Sequence, residues 1–256
     1  MTYAESLILG IVEGITEFLP ISSTGHLILV SEFLKIGNQP FVKSFEIIIQ
    51  LGAIFSVIFL YRRSFLDIEI LKKIMVGFLP TGVIGLVLYK AIKVYFIGNH
   101  AMALWALFIG GFALIIFEFW HQESEDGGKD LAGISYKQAL WIGLCQSAAI
   151  IPGVSRSAAS IVGGLLAGLK RKTIVEFSFL LAVPTMLAAS GFDLAKNADS
   201  FSKNQFGVLT VGFLVSFVVA MISVKFLLNF IKNHNFVPFG VYRIILALIF
   251  WLVLFK

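Results

Sequence analysis

Six segments of the sequence are apolar over roughly the length that an α-helix needs to cross a lipid bilayer, about 20 residues. They are approximately 45–61, 74–96, 101–120, 174–195, 206–230 and 236–255. Hydrophobic residues make up 58% of the chain and charged residues only 14%, whereas about a quarter of a soluble domain is usually charged. Because such an apolar surplus is stable only in lipid, the sequence predicts an all-α integral membrane protein.

Two further apolar segments, 4–34 and 139–169, are each interrupted near the middle. The interruptions are the stretches 19–26 and 151–157, which contain proline, serine and glycine. Proline cannot continue a helix, and serine and threonine are favoured at the start of a new one. Each segment is therefore predicted to be a re-entrant hairpin of two half-helices that meet at a polar break.

The two broken segments resemble each other, which indicates an internal duplication. Pro20 and Pro152 follow similar runs of small and polar residues, and each half of the chain holds one broken segment and three full spans. If both hairpins re-enter, three spans per half make the second half inverted relative to the first. We predict one membrane domain with repeat halves 1–120 and 139–256, joined by a hydrophilic loop, 121–138.

The basic residues lie in short clusters between the apolar runs, and their distribution predicts the orientation. In the inverted arrangement the loops 62–73, 121–138 and 170–173 share a face that carries more Lys and Arg than the opposite face. The richer face is expected to be cytoplasmic, with Arg243 near a helix end from which it can snorkel towards that face. Because the clusters do not form one basic patch, no nucleic-acid partner is expected.

Two smaller features narrow the class further. The first five residues lack the basic start of a signal peptide, so the first apolar run is expected to be mature structure. Cys145 is the only cysteine in the sequence, which excludes an intramolecular disulfide and a cysteine-based metal cluster.

Three charged residues are expected at membrane depth. Arg156 lies in the second break. Placing a charged side chain at that depth in the bilayer costs on the order of 3 kcal/mol or more, and such residues usually have a function. Glu13 and Glu17 are four residues apart and share one helix face, so they require a metal ion, a cation or a proton between them. The pattern favours a metal-assisted or general-base site, with a structural ion pair or a protonated carboxyl pair as the alternatives.

Hydroxyl side chains follow the proline in both breaks, where a half-helix is predicted to begin. A helix start presents free N–H groups and a positive dipole end, which bind anions. Facing half-helices would make a phosphate site near the bilayer centre, contributed by Ser22, Ser23, Thr24, Ser155, Arg156 and Ser157. Ser23 or Ser22 can supply a nucleophile and His26 an acid or base one turn away, although each serine alone is more often a helix cap.

The residues of both breaks resemble a known family. Glu13 to His26 reads EGITEFLPISSTGH and Pro152 to Ser157 reads PGVSRS, and both closely resemble undecaprenyl-diphosphatases of the bacitracin-resistance family. The resemblance extends over the whole chain, including 45–52 and 176–184. One departure is Ala-Ala-Ser at 158–160, where the family often has Gly-Ala-Thr, and a hydroxyl is retained there.

The resemblance implies hydrolysis of undecaprenyl diphosphate, a pyrophosphate lipid, to the monophosphate, with recycling of the carrier for cell-wall synthesis and resistance to bacitracin. It implies a multi-pass protein of the bacterial inner membrane whose site opens to the extracytoplasmic side, and a divalent cation, Mg²⁺ or Ca²⁺, expected at Glu13 and Glu17. The functional residues of the family correspond to Glu13, Glu17, Ser23, Thr24, His26, Ser155 and Arg156.

A function of another class stays open at this point. Inverted repeats with broken helices are also the architecture of transporters, so a flippase or transporter of an anionic lipid or solute is the alternative. The oligomeric state is open too, including a homodimer.

Overall fold

The computed structural model describes residues 1–37, 39–88, 100–121, 130–197 and 205–254. Within them the chain folds into helices, and no strand occurs. In chain order the α-helices are α1 (Tyr3–Thr16), α2 (Ser23–Phe33), α3 (Pro40–Leu60), α4 (Arg62–Leu66), α5 (Ile68–Val87), α6 (His100–Trp120), α7 (Tyr136–Gln146), α8 (Arg156–Leu166), α9 (Arg171–Asn197), α10 (Phe206–Phe230) and α11 (Val237–Leu254).

Five of these helices are long and apolar enough to cross a membrane. Their apolar spans are Phe41–Leu60, Ile68–Val87, Ala101–Trp120, Arg171–Gly191 and Phe206–Phe230, and α11 contributes a shorter apolar stretch, Val237–Leu252. The prediction of an all-α membrane protein is therefore confirmed.

The helix α5 begins earlier than the predicted start of its span at residue 74. Asp67 caps it, because the Asp67 carboxylate accepts hydrogen bonds from the N–H groups of Glu69 and Ile70. Lys73, in the second turn, is buried, and its ammonium group donates to the Ala132 carbonyl. The end of the predicted span, 89–96, lies outside the described residues.

Both broken segments have the same local geometry at the start of their second half-helix. Ser22 caps α2 with φ 70° and accepts a hydrogen bond from Gly25 N, and Ser155 caps α8 with φ 75° and accepts one from Ala158 N. A positive φ is uncommon for a residue with a side chain. Two serines in this conformation at equivalent points make the two breaks alike in detail.

The helices pack in pairs that correspond between the halves. α1 packs on α10 as α5 packs on α7, and α3 packs on α10 as α9 packs on α5. In addition, α3 packs on α9, and α6 packs on α11. Exchanging α1 with α7, α3 with α9 and α5 with α10 maps these contacts onto one another. An inverted duplication would produce this pattern; the repeat boundaries at 121–138 remain a prediction, because residues 122–129 lie outside the described part.

The apolar core fixes the two breaks against each other. Phe18 is fully buried and packs edge-on against Phe179 of α9, with 5.3 Å between the ring centroids. The Ser157 hydroxyl donates to the Leu19 carbonyl at 2.8 Å and so links the second break to the first. Residues far apart in sequence are thereby held at one place in the bundle.

The expectation for Arg243 was wrong. Its side chain does not snorkel to an interface but is only 1% exposed. The guanidinium donates from Nη2 to the carbonyls of Ala106, at 3.1 Å, and Gly153, at 2.9 Å. These carbonyls lie inside the bundle, and because they accept hydrogen bonds they hold the arginine there.

Candidate active site

A cavity of about 460 Å³ lies between the two breaks and the helices α5 and α9. Its polar wall combines residues of both breaks: Glu17, Ser22, Ser23, Thr24, Ser155 and Arg156. Six of the nine residues predicted for the site therefore line one cavity, although the two breaks are more than 130 residues apart in sequence.

Glu17 connects the two halves of this polar wall. Its Oε1 accepts a hydrogen bond from Arg156 Nη2 at 3.0 Å, and its Oε2 accepts one from the Ser23 hydroxyl at 2.5 Å. Arg156 also donates from Nη1 to the Ser178 carbonyl, and its guanidinium lies over the Phe18 ring. One carboxylate thus orients both a hydroxyl that can act as a nucleophile and a cation that can bind phosphate.

The helix starts add N–H donors to the same wall. The first N–H groups of an α-helix have no acceptor within the helix. The Ser22 and Ser155 hydroxyls each accept one N–H of the first turn, which leaves the earlier N–H groups of α2 and α8 for a ligand. With the positive ends of two helix dipoles, this arrangement suits an anion.

Glu13 lies behind the cavity wall and not on it. It is fully buried, and neither of its carboxylate oxygens meets a hydrogen-bond donor, while the Glu17 carboxylate lies close enough to share a proton with it. The charged side chains around it are Glu17, Glu46 and Arg156. A buried carboxylate without a partner is expensive, so Glu13 requires a proton or a cation.

The donor set fits a divalent cation in one way. Among the described residues, no group of three or more His, Cys, Asp or Glu is placed to hold a metal ion. Glu13 and Glu17 would together supply two carboxylates to a hard cation, which would take its other ligands from phosphate oxygens and water, as Mg²⁺ does in phosphate-transferring enzymes. A complete cage made by the protein alone does not fit these residues.

His26 occupies a different position from the one expected of an acid or base. It does not line the cavity, and both of its ring nitrogens are engaged: Nδ1 with the Ser22 carbonyl and Nε2 with the Tyr242 hydroxyl, each at 2.8 Å. In this arrangement the ring contacts the Ser22 backbone and not the Ser23 hydroxyl.

The prediction of a phosphate contact for the Ser157 side chain disagrees with its position. The hydroxyl is almost fully buried and bonds the Leu19 carbonyl and the Ser155 hydroxyl, and it does not line the cavity. It links the two breaks through its hydrogen bond to the Leu19 carbonyl.

A neutral polar group that the sequence analysis did not assign to the site also lines the cavity. The amide nitrogen of Gln146 donates to the hydroxyls of Thr81 and Thr185, at 3.0 and 3.1 Å, and all three residues line the cavity. Thr81 and Thr185 lie within apolar spans, where a single hydroxyl carries no recognisable signal. Tyr242 was missed for the same reason, whereas Arg243 was noticed in the sequence but expected at a membrane interface.

The sequence of the chain matches a known protein family. A family model described as bacitracin resistance protein BacA matches residues 6–249. The chain belongs to the BacA family.

Individual BacA-family relatives are similar over their full length. Undecaprenyl-diphosphatases of Sulfurihydrogenibium sp. and Wolinella succinogenes are each 51% identical over 98% of this chain, covering 99% and 97% of their own lengths. The undecaprenyl-diphosphatase of Aquifex aeolicus is 49% identical over 98% of both chains. Family membership and the five apolar helices together make this a multi-pass membrane protein.

Proposed function

We propose that this chain hydrolyses undecaprenyl diphosphate to undecaprenyl phosphate and inorganic phosphate, and so returns the lipid carrier to cell-wall synthesis. The observation that carries the proposal is the contact of Glu17 with both Arg156 and Ser23 at a cavity where two half-helices begin. The names of the relatives support the same substrate. Because bacitracin sequesters this pyrophosphate lipid, its hydrolysis would also confer resistance.

The diphosphate binds at the polar wall of the cavity. Arg156 presents a planar fork that matches two phosphate oxygens, and the N–H groups that begin α2 and α8 approach the same group from both halves. Phosphoryl transfer depends mostly on positioning and on stabilising charge. The cavity wall supplies both.

Ser23 is the proposed nucleophile. Glu17 accepts the hydroxyl proton, the Ser23 oxygen forms a bond to the terminal phosphorus, and the bridging P–O bond breaks to release undecaprenyl phosphate. Water then attacks the phosphoserine, inorganic phosphate leaves, Ser23 recovers a hydroxyl proton, and Glu17 releases the proton that it had accepted. In the alternative route Ser23 holds a water molecule that attacks the same phosphorus, and Glu17 accepts the proton from that water.

A divalent cation, Mg²⁺ or Ca²⁺, is proposed at Glu13 and Glu17. When bound, it would neutralise negative charge on the diphosphate oxygens. The burial of Glu13 beside Glu17, with no hydrogen-bond donor to either Glu13 oxygen, supports this assignment.

The isoprenoid tail is proposed to leave the cavity between α5 and α9. This side of the cavity is apolar and is lined by Phe78, Gly82, Gly85, Met186 and Ala189. Small side chains there leave space, and no atom lies within 4 Å of a Cβ built on Gly85. The tail would then lie against lipid while its headgroup reaches Arg156.

The membrane and the side on which the site opens belong to the same proposal. The distribution of Lys and Arg between the loops favours an inner-membrane protein whose site opens to the extracytoplasmic side. Labelling of single introduced cysteines from outside intact cells, in a Cys145→Ser background, tests this orientation.

Phosphate release from purified protein tests the function. Protein in detergent is supplied with undecaprenyl diphosphate and Mg²⁺, and inorganic phosphate is measured over time. Release that is lost in Arg156→Ala supports a phosphatase. Wild-type protein that releases no phosphate but moves the lipid between the leaflets of a vesicle would instead support the transporter alternative.

A further inference from the structure

The helix α11 contacts both breaks through two adjacent side chains, although no described residue of α11 lines the cavity. Tyr242 bonds His26 of α2, which follows the first break, and Arg243 bonds Gly153 in the second break. Consecutive residues on a helix point about 100° apart, so one turn of α11 can reach two separate elements.

The contact with the first break runs through the His26 ring. Nδ1 lies 2.8 Å from the Ser22 carbonyl, which can only accept a hydrogen bond, so Nδ1 carries the hydrogen. In the neutral ring Nε2 is then the acceptor for the Tyr242 hydroxyl. The two rings are also stacked, with 5.5 Å between centroids. Tyr242 therefore fixes His26, and His26 fixes the carbonyl of the residue that caps α2.

The contact with the second break is made by a buried charge. The Arg243 guanidinium bonds the carbonyls of Gly153 and Ala106, and within the described residues it has no carboxylate at ion-pair distance. Gly153 has φ 94°, and a Cβ on it would lie 2.3 Å from the Ala103 carbonyl oxygen. The loop before Ser155 is thus pressed against α6 and held there by Arg243.

The helix α6 leaves room for this arginine. A Cβ built on Gly110 would lie 2.1 Å from Arg243 Nη2 and 2.9 Å from Cζ. The guanidinium consequently occupies the space that any larger residue at 110 would need. Burying a charge costs free energy, even when two carbonyls accept its hydrogen bonds. An arginine held in a space fitted to it is therefore more than incidental packing.

We propose that Tyr242 and Arg243 are positioning residues that hold the two half-helix starts in register across the cavity. This inference rests on the proposed function, because the register matters for a diphosphate bound between both starts. Tyr242 acts through His26 on Ser22, and Arg243 acts through Gly153 on the loop that leads to Ser155 and Arg156. Neither residue contacts the substrate.

The first test displaces Arg243 without changing it. Gly110→Ala pushes on the guanidinium, whereas Gly191→Ala on α9 is a matched control, since nothing lies within 4 Å of its added Cβ. We expect Gly110→Ala to lower kcat on the order of 10²-fold, as misplacement of a reacting group by about 1 Å does, and to weaken binding of inorganic pyrophosphate measured by calorimetry. Gly191→Ala should stay within twofold of wild type in both measurements.

Arg243→Lys gives a second measurement in case Gly110→Ala does not yield monodisperse protein. A lysine retains the charge but not the fork that reaches two carbonyls, so kcat should fall between the values of wild type and Arg243→Met. Wild-type kcat and pyrophosphate affinity in both Gly110→Ala and Arg243→Lys would overturn the role of Arg243.

A double-mutant cycle tests Tyr242. Tyr242→Phe removes one hydrogen bond and should lower kcat about fivefold. If Tyr242 acts only through His26, the double variant Tyr242→Phe, His26→Asn should be no slower than His26→Asn alone. Additive losses would contradict the proposal.

The binding measurement separates this inference from the proposed function. Wild-type protein that binds pyrophosphate but releases no phosphate from the lipid would contradict the hydrolase proposal, and the variants would still test positioning through pyrophosphate affinity. An active wild type with equally active variants would contradict the positioning role alone.

Discussion

At the scale of single residues, the site depends on what Glu17 contacts. Its two oxygens are engaged by different elements, Arg156 from α8 and Ser23 from α2. The carboxylate is therefore oriented before a substrate binds, and it holds Ser23, the proposed nucleophile, beside Arg156, the proposed phosphate-binding cation. Preorganised groups of this kind act without rearrangement in the reaction.

The planar geometry of the Arg156 guanidinium is predicted to be as important for activity as its positive charge. Arg156→Lys keeps a positive charge but cannot bond Glu17 and the Ser178 carbonyl together with phosphate. We expect kcat/KM to fall 10²- to 10³-fold, a loss typical of a removed electrostatic donor. Phosphate-release kinetics measure it, with Arg62→Lys on the exposed helix α4 as the control. A loss below tenfold would contradict direct phosphate binding by the guanidinium.

The nucleophile assignment makes a separate prediction. Ser23→Ala should abolish turnover, and acid-quenched wild-type enzyme with labelled substrate should carry phosphate on Ser23, detected by mass spectrometry. Ser31→Ala is the matched control, since Ser31 is buried in the same helix but donates to the Leu27 carbonyl. Full activity of Ser23→Ala would eliminate the covalent route.

At the scale of elements, the breaks and the apolar spans contribute different parts of the cavity wall. The half-helix starts of α2 and α8 provide hydroxyl and N–H groups, whereas α5 and α9 provide mostly small and apolar side chains, apart from Thr81 and Thr185. A ligand with an anionic head and a long apolar tail matches both parts.

A substitution at Gly85 on α5 is predicted to impair binding of the isoprenoid tail without impairing binding of the diphosphate headgroup. Gly85→Trp fills open space at the apolar side of the cavity. We expect hydrolysis of undecaprenyl diphosphate to fall at least tenfold, while hydrolysis of a five-carbon isoprenoid diphosphate changes less than threefold. Gly191→Trp controls for bulk on α9. Equal losses with both substrates would show that the tail does not pass Gly85.

At the scale of the whole molecule, a buried ion pair joins helices at the end of the bundle away from the cavity. Arg171, at the start of α9, donates to Glu118 of α6 at 2.7 Å, and Glu118 also accepts the Phe236 N–H that precedes α11. The cavity residue Thr185 lies 14 positions further along α9, about 21 Å at 1.5 Å per residue.

This pair should stabilise the fold without affecting catalysis. Glu118→Ala leaves the Arg171 charge without this partner, and breaking a buried pair typically costs about 3–5 kcal/mol. We expect a lower midpoint of thermal unfolding in detergent and an unchanged kcat per folded protein below that temperature. Glu69→Ala, which removes an exposed pair with Lys72, is the control and should change the midpoint little. A selective loss of kcat in Glu118→Ala would link this end of the bundle to the site.

Much of the architecture followed from the sequence because lipid leaves few choices. Long apolar runs must be helices there, since backbone groups need partners within their own segment. Pro20 and Pro152 marked the breaks together with the serine residues that follow them, because proline disfavours continuing a helix and serine favours starting one. Proline alone does not decide a break, since Pro80 and Pro184 lie within α5 and α9. The polar wall of the cavity was predictable from serine, threonine and arginine at those breaks, because their side chains are costly in lipid.

What the tertiary structure decided was which atoms meet. Nothing in the order of residues tells that Arg243 turns inwards to Gly153, that Tyr242 reaches His26, or that Ser157 bonds Leu19 and not a phosphate. Thr81 and Thr185 could not be identified as site residues within apolar helices, because their contact with Gln146 depends on how the helices pack. Local chemistry and the solvent fix the helices and their breaks, whereas side-chain contacts depend on helix rotation and packing, to which residues from the entire chain contribute.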